Sequence, residues 1–120
     1  MRHGEERENI VNEVLLNFSK KHQIKTVATN NTYYVNQEEA NAHDILLCLK
    51  DGEKQSTPIG KGRGFRYGLN NKDYYFKSSD EMKVLFNDFP EAITNIKQLV
   101  DKIECYTLSN EIQLPRFEIP

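Results

Sequence analysis

The sequence predicts an α+β fold that is mainly helical, with one short strand of the parallel type and one β-hairpin. Three observations point there. Four stretches repeat apolar residues at three- and four-residue steps, the period of a helix packed on one side. A short run, IKTVAT at 24–29, follows the first helix directly, as a strand does in an α/β unit. And GFRYGLNNKDYYFK sets two aromatic-rich arms around a polar centre, the pattern of a hairpin.

In chain order, the first helix is predicted over residues 5–21. Ile10, Val11, Val14, Leu15 and Phe18 make one apolar face. Glu5, Glu6 and Glu8 lie near its start and Lys20 and Lys21 near its end, matching the helix dipole. The strand 24–29 leads into the polar loop of VATNNTYYV. A second helix is predicted over 37–50, with Asn36 as N-cap and Glu39 completing a capping box. Its expected buried face is Ala42, Ile45, Leu46 and Leu49, and Gly52 is its stop. Residues 51–64 read as a loop with glycines at 60, 62 and 64. The hairpin arms are Phe65–Tyr67 and Tyr74–Phe76, with Asn70 and Asn71 in the turn. Ser78 and Glu81 form a second capping box for a third helix bearing Met82, Leu85 and Phe86. Pro90 opens a fourth, whose core face is Ile93, Ile96, Val100 and Ile103. LPRFEIP, with Pro115 and Pro120, is expected to be extended.

The chain has 120 residues, 38% hydrophobic and 28% charged, enough for one modest domain or a piece of a larger one. No apolar run approaches the ~18 residues of a membrane helix, and MRHGEERE lacks the apolar core of a signal peptide. A net charge of −2 supplies no global field toward nucleic acid or an anionic membrane. Cys48 and Cys105 lie far apart among apolar residues, in no CxxC pair, and are expected to be reduced, buried thiols in a cytoplasmic protein.

Catalytic chemistry is hard to find. His3, His22 and His43 share no metal-ligand spacing, and adjacent His43 and Asp44 diverge on a helix, so all three histidines read as surface or helix-end residues. There is no GxSxG, and neither cysteine has a histidine nearby in sequence. Ser78 and Ser79 read as caps. The most suggestive stretch is GKGRGFRYG. Its glycines could bring backbone amides to a phosphate, Lys61, Arg63 and Arg66 carry charge, and Phe65 and Tyr67 could stack on bases. From Lys50 to Lys72 six basic residues face two acidic ones, with Asp73 just beyond. Yet the run has no Walker lysine–serine pair, and it does not lie between a strand and a helix. The plainer reading is a flexible loop entering a hairpin, with Tyr33, Tyr34, Tyr67, Tyr74, Tyr75 and Phe76 as packing.

The order of segments resembles the bacterial DNA polymerase III alpha subunits, the replicative family C polymerases. RHGEERENIVNEVLLNFSKKHQIKTVATNNTYYVNQEEANAHDILLCLKDG is similar to the later part of their polymerase and histidinol phosphatase (PHP) domain. FRYGLNNKDYYFKSSDEMKVLF, FPEAITNIKQLVDKIE and LPRFEIP follow in the family's order toward the palm. The resemblance implies that the chain starts inside a domain and is a fragment of an α/β, PHP-type barrel. It implies residues 1–52 as the end of the PHP domain, 53–77 as a basic Gly-rich loop and hairpin, and 78–120 as a helical segment and linker toward the palm. It also implies that the palm's catalytic aspartates are absent and that the chain needs no cofactor.

Where such domains keep metal, a segment resembling ATNDVHY carries an Asp-x-His ligand pair. The matching positions here are Asn31 and Tyr33. Asparagine is a neutral, weaker ligand, and a phenol of pKa ~10 is a poor one at neutral pH. The resemblance therefore implies a vacated metal site with no catalytic residue, in a non-catalytic scaffold. Its partners would be the remaining polymerase domains, DNA in the parent protein, and a proofreading exonuclease subunit, with no membrane. Two other functions are kept open. One is a nucleic-acid or domain contact through Lys61, Arg63, Arg66 and Tyr67; the other is a remnant metal-dependent phosphoesterase or exonuclease. An exposed apolar face left by missing barrel strands could also drive self-association.

Overall fold

In the computed structural model, residues 1–109 are described; the expected extended tail LPRFEIP lies outside them. Four helices carry the fold: α1 (Glu6–His22), α2 (Ala40–Asp51), α3 (Ser79–Leu85) and α4 (Glu91–Val100). A single 3-10 turn, Gln37–Glu39, leads into α2.

Local signals place these elements well. Both capping boxes form. Glu39 Oε2 accepts the Asn36 N–H at 2.9 Å, and Glu81 Oε2 accepts the Ser78 N–H at 2.8 Å. Each box satisfies amides that a helix start leaves without partners. Gly52 caps α2 in the left-handed region, its N–H bonded to the Cys48 carbonyl. α1 ends at Gln23, a left-handed non-glycine held by the Ser19 carbonyl. Pro90, expected as the first helical residue of α4, is its N-cap instead, one place before Glu91.

The strand and the hairpin do not form, and the expected α/β-barrel fragment is corrected. The described residues contain no sheet, only the isolated bridges Tyr34–Tyr75 and Ile59–Arg66. The 24–29 segment is extended but finds a helix instead of a strand. The Ala28 N–H donates to the Ala92 carbonyl at 2.9 Å, and Asn95 Nδ2 donates to the Thr26 carbonyl at 2.9 Å. The two presumed hairpin arms part company. Residue 66 pairs back with 58–60, while 74–76 pair with 33–35. Aromatic richness marked both as pairing segments, but it carried no information about which partner each would take.

The core is small. Ala28, Phe86 and Ala92 are buried, with Met82, Leu85, Phe89, Ile93 and Ile96 packed around them. This bears out the α3 stripe and half of the α4 face; Val100 and Ile103 are exposed, and Ile103 lies beyond the helix. The expected faces of α1 and α2 are not covered. Ile10, Val11, Val14, Leu15 and Phe18 are all exposed, and no residue of α1 is buried. On α2, Ile45, Leu46 and Leu49 face outward and Cys48 is the buried residue, because α2 packs by the side that carries Asp44 and Cys48. Cys48 and Cys105 are free thiols; Cys105 is exposed, against expectation.

This packing sets a stability contrast. Phe86→Ala empties the small core and should cost about 3 kcal/mol in urea unfolding. Leu49→Ala removes a side chain that is 77% exposed and should cost less than about 0.5 kcal/mol. The reverse order would restore the α2 face expected from periodicity.

Candidate functional site

Three groups of side chains gather around the loops between the helices. The first centres on His3, which is 1% exposed. Its Nδ1 lies 2.7 Å from Glu8 Oε1, and its Nε2 lies 3.2 Å from the Asn31 N–H nitrogen and 3.1 Å from Asn30 Oδ1. With the ring proton on Nδ1, facing the carboxylate, Nε2 accepts the Asn31 N–H. The ring stacks on Tyr74, centroids 4.4 Å apart and planes within 4°. Asn71 Nδ2 donates to the His3 carbonyl at 2.6 Å. Burial pushes the Glu8 carboxyl up, but hydrogen bonds from the His3 ring and backbone outweigh it, and the group is held below its ordinary range.

The second group holds the two vacated ligand positions. The polar loop after Ala28 is set by Asn30, whose Nδ2 donates to the Tyr75 carbonyl at 2.8 Å. The Tyr33 N–H donates to the Tyr74 carbonyl at 2.9 Å. Asn31 and Tyr33 are brought together, with Asn31 Nδ2 3.5 Å from the Tyr33 hydroxyl. The Tyr33 ring contacts Tyr74 edge-on and lies 5.3 Å from His43. Its hydroxyl also bears on Tyr67, whose own hydroxyl is pushed up by burial and by Tyr33. Among the described residues, no three His, Cys, Asp or Glu side chains are grouped to hold a metal.

The third group is the Gly-rich loop. Its two ends are tied by Gly60 N–H to the Arg66 carbonyl and Arg66 N–H to the Pro58 carbonyl, both 3.0 Å. Gly62 and Gly64 turn the tip at φ 90° and 87°, where side chains are strained. At Gly60 the Phe65 ring lies so close that a Cβ would sit 2.4 Å from it. Lys61, Arg63, Phe65 and Tyr67 are exposed. Arg66 is not. It is 7% exposed and grips Asp44 with both terminal nitrogens, at 2.6 and 3.0 Å. Its Nε donates to the Thr57 carbonyl at 2.8 Å, and Nη2 to that of Gln55 at 3.3 Å. The residue expected among the contact candidates is thus the anchor of the loop that carries them. The Arg66 hydrogen bonds hold the Asp44 carboxyl below its usual range, against some burial.

Sequence reasoning missed two things. Arg66 looked like one more exposed charge, because its partner Asp44 is distant in sequence. His3 read as a surface or helix-end histidine, but it is buried. Its signal, a histidine five positions before Glu8 at a helix entry, is too short to separate from chance.

The sequence matches about a tenth of much longer polypeptides. The chain is 36% identical over 121 residues to DNA polymerase III subunit alpha of Borreliella burgdorferi, covering 99% of the chain and 10% of that protein. It is 34% identical over 102 residues to the Campylobacter jejuni protein of the same name, and 31% over 121 residues to that of Mycobacterium leprae. The chain is homologous to a segment of DNA polymerase III subunit alpha. No family model matches it. It spans about a tenth of the length of the DNA polymerase III alpha subunits it matches, and no helix among the described residues is long and apolar enough to cross a membrane.

The carboxylates give this segment an acid limit. Glu81 is pulled down to about 2, chiefly by the Tyr75 hydroxyl at 2.6 Å and then by Ser78. Glu8, Asp44 and Glu81 all bind protons more weakly folded than unfolded. Their stabilisation is therefore present above the unfolded carboxylate range, near pH 4, and is lost as pH falls through the folded values. The thermal unfolding midpoint should stay level from pH 7 to about 5, fall below about 4, and finish falling near 2. Asp44→Asn should lower stability at pH 7 and flatten the acid fall; an unchanged profile would contradict the Asp44–Arg66 anchor.

Proposed function

We propose that this chain acts as a non-catalytic scaffold segment of a replicative DNA polymerase alpha subunit, with its uncovered apolar faces packed by the rest of such a polypeptide. The observation that carries this is exposure. The accessible surface is 10551 Å², where a compact monomer of this mass shows roughly 6,700 Å². Many large apolar side chains among the described residues are exposed. The whole stripe of α1 is open, and below it a cleft of about 570 Å³ is lined by Val11, Leu15, Val27, Phe86, Phe89 and Ala92. Faces of this size on one molecule are interaction surfaces. DNA synthesis, and the docking of a proofreading exonuclease, would belong to the larger assembly.

The same reading holds the Asn31–Tyr33 pair to be a vacated metal position. An amide oxygen and a phenol are weak ligands compared with a carboxylate and an imidazole. The surrounding polar atoms are also engaged with one another. His3 faces Glu8 and Asn31, and Asn30 holds the Tyr75 carbonyl. The remnant phosphoesterase reading would need a metal cluster at this place.

Two measurements test this. Within a full-length alpha subunit, the α1 amides should exchange hydrogen at least about tenfold more slowly than in the 120-residue chain; equal rates would sink the covering role. In calorimetric titration, zinc and manganese should show no tight binding to the chain. Tight binding abolished by Asn31→Ala or Tyr33→Phe would restore a working metal site.

A further inference from the structure

We propose that the 58–66 loop, with the adjoining Tyr67 ring, is a contact site for single-stranded DNA, in which Lys61 and Arg63 meet phosphates and Phe65 offers a stacking face. The inference goes beyond the scaffold reading and does not rest on it.

The first support is the rigidity of the base. A contact loop must hold its groups in place, or ordering it cancels what binding gains. Here the base is clamped at three points: the paired backbone at residues 58, 60 and 66, the two-pronged grip of Arg66 on Asp44, and the Arg66 Nε bond to the Thr57 carbonyl. The tip turns on Gly62 and Gly64, and the Phe65 N–H donates to the Gly62 carbonyl at 3.3 Å. The exposed cations therefore ride on a closed, short-range structure.

The second support is what the clamp leaves outside. Arg66 is neutralised and buried by Asp44, whereas Lys61 and Arg63 are exposed and enter no ion pair or side-chain hydrogen bond among the described residues. Two positive charges without a counter-charge stand at the tip of a loop on a chain of net charge −2. Any salt-sensitive attraction of a polyanion must then come from a local feature such as this one.

The third support is the ring surface beside the charges. The Phe65 ring lies against Gly60, where it leaves no room for a Cβ, and the residue is 49% exposed. Tyr67 is also half exposed and adjoins Tyr33. Cations spaced with open rings fit unpaired bases on a phosphate backbone. A duplex hides its bases from such rings, so the geometry favours a single strand over a double one.

The test uses the 120-residue chain and a fluorescein-labelled oligothymidylate, followed by anisotropy. Two phosphate contacts predict about a 25-fold loss of affinity over a tenfold rise in salt. Lys61→Ala with Arg63→Ala should abolish most of that slope, with an unchanged circular dichroism spectrum, since both side chains are exposed. Phe65→Ala should weaken binding about fivefold or more and leave the slope intact. Lys20→Ala with Lys21→Ala removes the same charge from the end of α1 and should change little. The proposal is overturned if the α1 pair loses as much as the loop pair, if the loop pair binds like the parent chain, or if a duplex of equal length binds as tightly as the single strand.

Discussion

The buried His3 ring is the constraint on which this structure depends. One imidazole, 1% exposed, joins the chain's start to Glu8 of α1 and to the Asn30–Asn31 loop, and it stacks on Tyr74. Arg2 extends the clasp. It reaches Asp88 at 2.6 and 2.8 Å and the Leu85 carbonyl at 2.7 Å, and lies over the Phe86 ring. In a larger core such contacts would refine a packing that burial had already decided. Here the buried apolar cluster is Ala28, Phe86 and Ala92, so polar contacts fix which segments meet. Each hydrogen bond contributes only about 1 kcal/mol net, yet a buried partner left unpaired costs up to about 3 kcal/mol. That asymmetry favours one arrangement of the loops over its neighbours.

A second clasp, Asp44 with Arg66, works the same way between α2 and the Gly-rich loop. It ties the Gly-rich loop to the packed side of α2. α1's apolar stripe is left open, and Lys61 and Arg63 enter no ion pair among the described residues. A chain homologous to a tenth of DNA polymerase III subunit alpha thus presents two unlike surfaces. One is an apolar face suited to the packing of further polypeptide. The other is a small cationic and aromatic tip on a fixed base. The scaffold role and the contact role rest on different residues, so neither requires the other.

What could be read ahead of the structure was local. Ser78 with Glu81, Asn36 with Glu39, and Gly52 after α2 are signals complete within four or five residues; the first and last took the expected form, while Asn36 caps a 3-10 turn that leads into α2 instead of α2 itself. The α3 stripe was legible because the same short stretch supplies both its period and its main core residue, Phe86. The site was less legible. Asn31 and Tyr33 were marked by resemblance alone, and the structure adds that they touch each other. Arg66 changed from contact candidate to anchor, because its partner is 22 residues away.

By itself, then, the sequence determined that four helices form and where each roughly lies, which loop carries the free charge, and which longer proteins the chain resembles. These follow from neighbouring residues whose interactions need no third party. The tertiary structure decided which faces are covered and which extended segments pair. The IKTVAT run met α4 instead of a strand, and the two aromatic arms chose separate partners. Apolar periodicity says that a face can be buried and extended propensity says that a segment can pair. Neither names the partner, and the free energy of both comes from that partner.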